Sequence, residues 1–323
     1  MKIIVSSLII LSAVIVGLGQ QVQRDALRAE GYDALYNLDY EGARRRFQKM
    51  VELAPEDPAG AHCLATSLWL QQLNESYRLK GTLYTGDEKE KPDRRQADEF
   101  RKWIRQAKML SEARLKKEPR NVEALYYLGA AEGLEAAYDA QVERKYVAAL
   151  RAGTNAVDHH REVIKLSPDY HDAELTIGLH NYVVGSLSLP LKMIAGTMGV
   201  RGSKKRGLET LERVTVEGKW ARDLARILLI ELYKREKRYD DAFKTARELS
   251  EKYSRNYLFK LQLAEALASQ IATLRKSKAP FKAEESELQN IFNTLSRDKT
   301  FDSSTRDLIN QRWTLARQQL SQH

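Results

Sequence analysis

Apolar residues recur along this chain at helical spacing, in stretches that end at prolines. The first clear example runs from residues 40–43 through Phe47 and Met50 to Pro55. Apolar residues at intervals of three and four lie on one face of an α-helix, and a proline just beyond them ends it. A small residue, Gly31, precedes this stretch at the point where a first helix must let its partner approach. The pattern predicts a helical hairpin.

The same arrangement returns along most of the chain, which predicts a repeat fold rather than two unrelated domains. The small-residue position of the first helix recurs at Gly31, Ala65, Gly129, Gly178, Ile230 and Ala264. The first and last steps are equal, at about 34 residues, which is the length of a common helical-hairpin repeat. We call this step the repeat interval. The longer steps between them predict enlarged hairpins near residues 72–101 and 133–150, and an apolar loop inserted near residues 186–203.

These positions resemble the tetratricopeptide repeat (TPR), a stack of helix-turn-helix units. The residues that carry the likeness are Gly31, Ala43, Phe47, Pro55, Ala65, Pro119, Gly129, Pro168, Gly178, Tyr233, Ala242 and Ala264. Two positions depart from the pattern: Ala34 stands where an aromatic residue is usual, and Ile230 stands where a small one is expected. The resemblance implies an all-α solenoid of about six hairpins over residues 24–297, which acts by binding other proteins and has no chemistry of its own.

A second, weaker resemblance concerns residues 181–211. They are similar to bacterial exported repeat proteins distantly like the tetratricopeptide repeat protein 39 and inclusion-body clearance group. This likeness also implies an interaction protein.

Residues 298–323 predict a helix that caps the last hairpin, because the end of a repeat stack needs a polar outer side. Asp302 offers a helix start. One stripe at helical spacing consists of Ile309, Trp313, Ala316 and Leu320, and the opposite side carries Arg306, Asn310, Arg317 and Gln318.

Residues 1–19 have the pattern of an export signal. Lys2 precedes an uncharged, mostly apolar run over residues 3–18, and Gly17 and Gly19 form a small-x-small arrangement. This predicts cleavage near Gly19 and a periplasmic protein. The run is nearly as long as the ~20 residues that span a bilayer, so an uncleaved N-terminal anchor is the alternative.

Composition narrows the class of protein. Of the 323 residues, 43% are hydrophobic and 30% charged, which supplies a packed core and argues against disorder. The mean hydropathy of −0.53 excludes a polytopic membrane protein. The single cysteine, Cys63, excludes an internal disulfide and a four-cysteine zinc site.

The net charge of +9 is spread over short basic runs that glutamates interrupt, which is typical of solvated outer helix faces. Nucleic-acid binding is not expected, because no base-stacking motif accompanies the basic residues. Peripheral contact with anionic lipid stays open.

Catalytic and metal-binding motifs fail on their chemistry. Residues 81–86 have the glycine spacing of a phosphate loop, but Asp87 and Glu88 stand where Lys and Ser or Thr are needed. His159 and His160 are adjacent, so on a helix they diverge by roughly 100°. Cys63 reads as a small buried hydrophobe. The sequence therefore predicts no catalytic residue, no metal ligand and no cofactor.

The first helices of such a solenoid line its inner surface, and here they carry aromatic residues. The candidate partner-binding groove consists of Tyr32, Tyr36, Trp69, Tyr126 and Tyr182. An aromatic groove suits an amphipathic or extended peptide. In the alternative, the rings pack internally and the apolar loop lies over Tyr126 and Tyr182 as a lid.

These observations predict a non-enzymatic interaction scaffold of the cell envelope, which binds a protein or peptide of unknown identity. A membrane-surface or lipid-handling protein and an envelope enzyme of unknown class are the alternatives.

Overall fold

The computed structural model of the chain describes residues 2–75, 94–197 and 199–321, with side chains from residue 19 onwards except those of 190, 191, 194, 319 and 321. This part of the chain is all-α, as predicted, and contains no strand. The helices are α1 (Lys2–Tyr36), α2 (Tyr40–Leu53), α3 (Pro58–Glu75), α4 (Arg94–Lys117), α5 (Val122–Gln141), α6 (Tyr146–Leu166), α7 (Glu174–Ser186), α8 (Leu189–Thr197), α9 (Lys204–Glu217), α10 (Arg222–Arg235), α11 (Tyr239–Lys252), α12 (Tyr257–Lys276), α13 (Lys282–Arg297) and α14 (Ser303–Ser321). A short 3₁₀ turn, His171–Ala173, precedes α7.

Helices that follow one another pack in pairs. The hairpins are α1 with α2, α3 with α4, α5 with α6, α7 with α9, α10 with α11, and α12 with α13. Among the described residues these are the six hairpins that the repeat spacing predicts. The chain divides into two compact units, one holding α1–α6 and the other α7–α14. Within each unit, the second helix of a hairpin packs against the first helix of the next.

In the first and third hairpins, the two helices meet at a glycine of the first helix. A Cβ added at Gly31 would collide with the ring of Phe47. A Cβ added at Gly129 would lie 2.6 Å from Cδ2 of His160 and 3.0 Å from the carbonyl oxygen of Ala156. These glycines therefore set how closely α1 approaches α2 and α5 approaches α6.

The fourth hairpin brings two glycines to the same crossing. A Cβ at Gly178 of α7 would lie 3.0 Å from Cγ of Leu211 and 3.2 Å from the carbonyl oxygen of Gly207. A Cβ at Gly207 of α9 would in turn lie 2.6 Å from the backbone nitrogen of Tyr182. In the fifth hairpin the corresponding residue is Ile230, whose larger side chain is fully buried.

Among the helix ends that the structure describes, a recurrent backbone turn ends three of the first helices. Leu38, Lys237 and Lys278 have positive φ angles of 66°, 60° and 56°. The residue after each donates its N–H to the carbonyl five residues earlier, over 2.9 Å in every case. This is the Schellman arrangement, in which glycine is the usual residue. The same turn thus reverses the chain in hairpins one, five and six without a glycine.

Polar caps and prolines fix the other helix ends. The backbone N–H of Gly42 donates to Asp39 Oδ1 and that of Ala124 to Asn121 Oδ1, each over 2.9 Å. Such caps contribute about 1 kcal/mol each. The turns that follow the second helices α2, α4 and α6 contain prolines, two residues beyond each helix end, at Pro55, Pro119 and Pro168.

The last helix, α14, packs on α12 and α13. Its start is capped as the sequence indicates, since Thr305 N–H donates to Asp302 Oδ1 over 2.7 Å. Trp313 lies 4.6 Å, centroid to centroid, from Phe292 of α13. The predicted inner positions Ile309, Ala316 and Leu320 are buried, and the predicted outer positions Arg306, Asn310, Arg317 and Gln318 are exposed.

The predicted loop near residues 186–203 is wrong in one respect, because its middle forms the helix α8. Pro190 falls in the first turn, where a missing N–H is tolerated. Residues 192–195 then continue the helix until Gly196 and Gly199 end it. Gly199 has a φ of +73°, and the N–H of Val200 donates to the carbonyl of Ala195 over 2.9 Å.

Four other features bear on the sequence predictions. The expected cleavage position at Gly19 falls inside α1. The third hairpin is tall, with 20 residues in α5 and 21 in α6 against 14 in α2. The glycine-spaced segment 81–86 and most of the predicted hairpin enlargement near residues 72–101 lie outside the described residues. Among the described helices, leaving aside the N-terminal run of residues 2–18, none is both long and apolar enough to cross a bilayer.

The close approach of paired helices gives the first testable expectation. Gly129→Leu and Gly178→Leu each force a side chain into a helix contact, and overpacking of this kind costs about 1–3 kcal/mol. Urea unfolding should show this loss in both variants. Gly196→Leu is the control, because nothing lies within 4 Å of a Cβ added there. Equal stability of all three variants would contradict the assigned hairpin contacts.

Candidate functional site

In the first unit, the first helices α1, α3 and α5 carry side chains of unusual chemistry at equivalent places. His62 follows Arg28 by one repeat interval, and Tyr126 stands before Gly129 in the same place that Arg28 occupies before Gly31. Because the hairpins pack in sequence, these equivalent positions come together. We call the set Arg28, Tyr32, Tyr36, His62, Cys63, Trp69, Tyr126 and Tyr127 the first-helix cluster.

The guanidinium of Arg28 is buried between aromatic rings. Its central carbon lies 5.9 Å from the ring centroid of Tyr32 and 5.6 Å from that of Tyr127. The faces of such rings attract a cation, and more strongly where water is excluded. Arg28 of α1 thereby joins the first hairpin to the third across α3.

Tyr32 of α1 contacts residues of both α2 and α3. Its ring stacks on Tyr36 at 5.9 Å and meets Phe47 of α2 edge-on at 5.5 Å. The Cys63 thiol donates to the hydroxyl oxygen of Tyr32 over 3.6 Å. Burial raises the pKa of Cys63, so the thiol stays protonated at neutral pH.

His62 lies beside Cys63 and is held neutral. Burial, the positive charge of Arg28 and the neighbouring His160 together lower the pKa of His62 to about 3. Its ring centroid lies 5.8 Å from that of Tyr127. A neutral histidine with so low a pKa is a weak proton acceptor, and its neighbour is a protonated thiol. The adjacent pair is therefore poorly suited to nucleophilic catalysis.

The predicted groove residues are mostly interior side chains. Tyr36, Trp69, Tyr126 and Tyr182 are buried, and Tyr32 alone of the five is partly exposed. Four of them, all except Tyr182, belong to the first unit. Their part in binding a partner stays a prediction, and it now depends chiefly on Tyr32.

Hydrogen bonds and ring stacking hold two of the buried residues in place. Tyr126 stacks on His160 at 5.3 Å, and its carbonyl oxygen lies 3.0 Å from Nε2 of His160. Trp69 Nε1 donates to Gln141 Oε1 over 3.2 Å. His160 is thus a histidine of the core, whereas His159 is partly exposed and lies 2.8 Å from Glu132 Oε2.

Tyr182, the fifth predicted groove residue, belongs to the second unit. It donates its hydroxyl to Glu236 Oε1 over 2.8 Å, and Lys204 Nζ donates to the same oxygen over 2.7 Å. Burial and the neighbouring Glu236 carboxylate together raise the pKa of Tyr182 to about 12. This tyrosine fixes the start of α9 against the end of α10.

The second unit carries a set of paired charges that the sequence reasoning missed. Lys234 Nζ lies 2.7 Å from Glu231 Oε1 and 3.2 Å from Glu265 Oε2. Arg312 Nη1 lies 2.9 Å from Glu265 Oε1. We call these four residues the ion-pair ladder, since they join α10, α12 and α14. The repeat spacing carried the signal, because Glu265 follows Glu231 by one repeat interval.

Burial governs the proton affinities in the ion-pair ladder. It raises the pKa of Glu231, and the charge of Lys234 partly offsets the rise. Burial alone would lower the pKa of Lys234, but Glu265 and Glu231 together raise it. Lys234 therefore carries its charge at neutral pH. Removing it would leave two carboxylates without their shared cation.

Another carboxylate, that of Asp172, caps the start of a helix. Asp172 Oδ1 accepts the backbone N–H groups of Lys219, Trp220 and Ala221 over 2.7, 3.0 and 3.0 Å. These amides lie at the start of α10, where a carboxylate is favoured. Across the described part of the chain, no group of three or more His, Cys, Asp or Glu side chains is arranged to hold a metal ion.

Comparison with known proteins gives only structural neighbours. No protein-family model and no curated protein matches the chain. One similar structure is a thermophilic TPR protein of Thermus thermophilus, with 17% identity, coverage of 76% of this chain and 98% of that one, and a TM-score of 0.41. Another is a tetratricopeptide repeat protein of Parabacteroides merdae, with 13% identity, coverage of 92% and 88%, and a TM-score of 0.36.

The chain has a TPR-like fold of helical hairpins, and the assignment stands on its own helix contacts. The weaker resemblance of residues 181–211 to exported repeat proteins stays a prediction.

The pKa of His62 gives an expectation for acid stability. Between pH 6.5 and about 3 the unfolded chain binds a proton at this histidine that the folded chain does not, so acid favours unfolding. Its contribution changes by at most about 1.4 kcal/mol per pH unit. When the pH falls from 7 to 4.5, the His62→Gln variant should therefore lose less stability than the parent protein. Urea unfolding at both pH values measures this loss.

His159→Gln is the matched control with the opposite sign. Its hydrogen bond to Glu132 raises the pKa of His159, so its contribution is full below pH 6.5 and disappears as the pH rises through the raised pKa. The same pH dependence in the parent and in His62→Gln would contradict the neutral state of His62 in the folded protein.

The ion-pair ladder gives a second expectation for stability. Lys234→Met leaves Glu231 and Glu265 without their common cation, and breaking a buried ion pair costs on the order of 3 kcal/mol. Lys244→Met, at an exposed lysine on α11, should cost less than about 0.5 kcal/mol. Chemical denaturation of the two variants measures the difference, and equal stabilities would show that the ladder contributes little.

Proposed function

We propose that this chain is a non-enzymatic interaction scaffold of the cell envelope, which binds a partner protein or peptide on the first helices of its hairpins. The observation that carries the proposal is the first-helix cluster. Residues of three successive hairpins contact one another there, and Tyr32 and His62 remain partly exposed at its edge. A partner would meet a preformed surface.

The residue types of this cluster suit recognition. Tyr32 is the partly exposed aromatic residue of the cluster, and tyrosine is among the residues that most often dominate the energy of protein interfaces. Stacking on Tyr36 and edge contact with Phe47 hold Tyr32 in a single orientation, so little side-chain entropy is lost when a partner binds. An extended or helical peptide with an aromatic or aliphatic anchor fits this chemistry.

The chemistry of the cluster also supports a non-enzymatic role. The thiol and imidazole that stand next to each other are a protonated cysteine and a histidine whose pKa is lowered to about 3. In the second unit, the acidic and basic side chains of the ion-pair ladder neutralise one another. Neither arrangement presents an activated nucleophile or a base with a pKa near neutrality.

The envelope location rests on the N-terminal pattern, in which a basic residue precedes an apolar run and small residues. Mass spectrometry of the protein purified from its native host tests this part. An N-terminus near Gln20 in the periplasmic fraction supports export and cleavage. Intact Met1 in the membrane fraction would replace the periplasmic assignment with an anchored one, and intact Met1 in the cytoplasm would refute both.

Site-specific crosslinking tests the binding surface. A photoreactive phenylalanine analogue in place of Tyr32 should give a discrete crosslinked species in native envelopes. The same analogue in place of Lys49, an exposed residue of the second helix α2, should not. An excess of unlabelled parent protein should compete for the species. Equal crosslinking at the two positions, or none at position 32, would contradict the proposed surface.

A further inference from the structure

Helix α8 leaves large apolar side chains in water. In the sequence, it comes between α7 and α9, the two helices of the fourth hairpin. Its residues Leu189 and Met193, one turn apart, are 74% and 68% exposed. Residues four apart share a face of a helix. The outward side of α8 is therefore apolar, although nothing in the packing of the hairpin requires it to be.

The orientation of α8 is fixed from its other side. Ala195 and Val200 are buried, and Val200 N–H donates to the carbonyl of Ala195 over 2.9 Å. Gly199, with its φ of +73°, reverses the chain at this point, and its N–H donates to the carbonyl of Gly196 over 3.0 Å. The helix is anchored on one side, so Leu189 and Met193 are held outward.

The surroundings of α8 in the sequence are purely basic. Residues 175–208 contain no aspartate or glutamate, in a chain that has 44 of them. The basic residues of this stretch are Lys192, Arg201, Lys204, Lys205 and Arg206. Lys192 precedes Met193 on the helix itself, and Arg201 follows directly on the turn that ends at Val200.

Most of this charge faces solvent. Lys204 forms an ion pair with Glu236, with 2.7 Å between Nζ and Oε1. Lys205, in contrast, is 86% exposed and meets Glu209 only at 3.9 Å. Lys192, Arg201 and Arg206 are also exposed. These exposed apolar and basic side chains are near one another in the sequence, and we call them together the α8 patch: Leu189, Lys192, Met193, Arg201, Lys205 and Arg206.

We propose that the α8 patch docks on an anionic lipid surface, with Leu189 and Met193 entering the headgroup region and the basic residues contacting lipid phosphates. Short amphipathic helices bind membranes in this way, by combining buried apolar area with attraction to anionic lipid. A protein groove usually takes anchors spread over two helical turns, whereas this patch offers two neighbouring side chains and a diffuse positive charge. The proposal goes beyond the scaffold function and does not depend on the partner.

A local fluorescent label tests the proposal directly. Cys63 is fully buried, so a maleimide dye added to the folded Met193→Cys protein reacts at position 193. An environment-sensitive dye there should shift to the blue and brighten about twofold or more with phosphatidylglycerol vesicles, and much less with phosphatidylcholine vesicles. The local readout matters because residues 3–18 are themselves apolar and give the whole chain a second route to lipid.

Val216→Cys is the matched control. Val216 lies on α9 of the same unit and is 71% exposed, which is close to the exposure of Met193. Its dye should not respond to either vesicle. Equal responses at positions 193 and 216 would overturn the proposal, because they would show adsorption through another part of the chain.

Charge reversal separates headgroup recognition from non-specific insertion. Lys205→Glu combined with Arg206→Glu should weaken phosphatidylglycerol binding by roughly tenfold or more, since each basic residue near an anionic surface contributes to affinity. Lys116→Glu with Lys117→Glu, at exposed positions on α4, should have little effect. Circular dichroism confirms that both variants are folded.

Two further outcomes would also overturn the proposal. Affinity that is unchanged by reversal at 205 and 206, and equal for the two lipids, would mean that charge plays no part. A dye at position 193 that responds to neither vesicle would leave the α8 patch as a lid or as a surface for a protein.

Discussion

The close contact between the two helices of each hairpin is the constraint on which the rest of this structure depends. At Gly31, Gly129 and Gly178, a single Cβ would collide with the partner helix or press tightly against it. A contact of this kind fixes the position of the helices along each other as well as their separation. Because the interior is close-packed, a shift of one helix would displace every side chain that faces the next hairpin.

That fixed position explains why equivalent residues of successive hairpins meet. Arg28 and His62 are brought together in the first unit, and Glu231 and Glu265 in the second, by the same repeat interval. The chemistry differs between the two units. The first unit buries the Arg28 guanidinium among aromatic rings, which attract the cation weakly. The second unit places the Lys234 ammonium between two carboxylates. Buried ion pairs offset much of their attraction by desolvation, so the second arrangement secures the relative position of α10, α12 and α14 more than it adds stability.

Hairpin number, small-residue contacts and the capping helix could be predicted from the sequence because each depends on local patterns: apolar spacing, a glycine and a proline. The Schellman turns at Leu38, Lys237 and Lys278 could not, since glycine, the usual signal, is missing at all three. Burial of Trp69 and Tyr126 depends on neighbouring hairpins, which periodicity within one helix does not reveal. Helix α8 could not be predicted either, because its proline and the glycines on both sides of it are typical of a loop. The ion-pair ladder was within reach, because the repeat interval that locates Ala264 also pairs Glu231 with Glu265.

Exposed apolar residues have a different meaning in this fold from buried ones. The aromatic residues Tyr36, Trp69 and Tyr126 are buried, because neighbouring helices cover them. Leu189 and Met193 belong to a segment that the hairpin does not need, since α7 and α9 already meet through Gly178 and Gly207. A nine-residue helix inserted between two helices that pack without it does not add to their contact. Its outward leucine and methionine, held in place by the buried Ala195 and set in a stretch of sequence without acidic residues, therefore fit a role in contacting something outside the chain better than a role in folding.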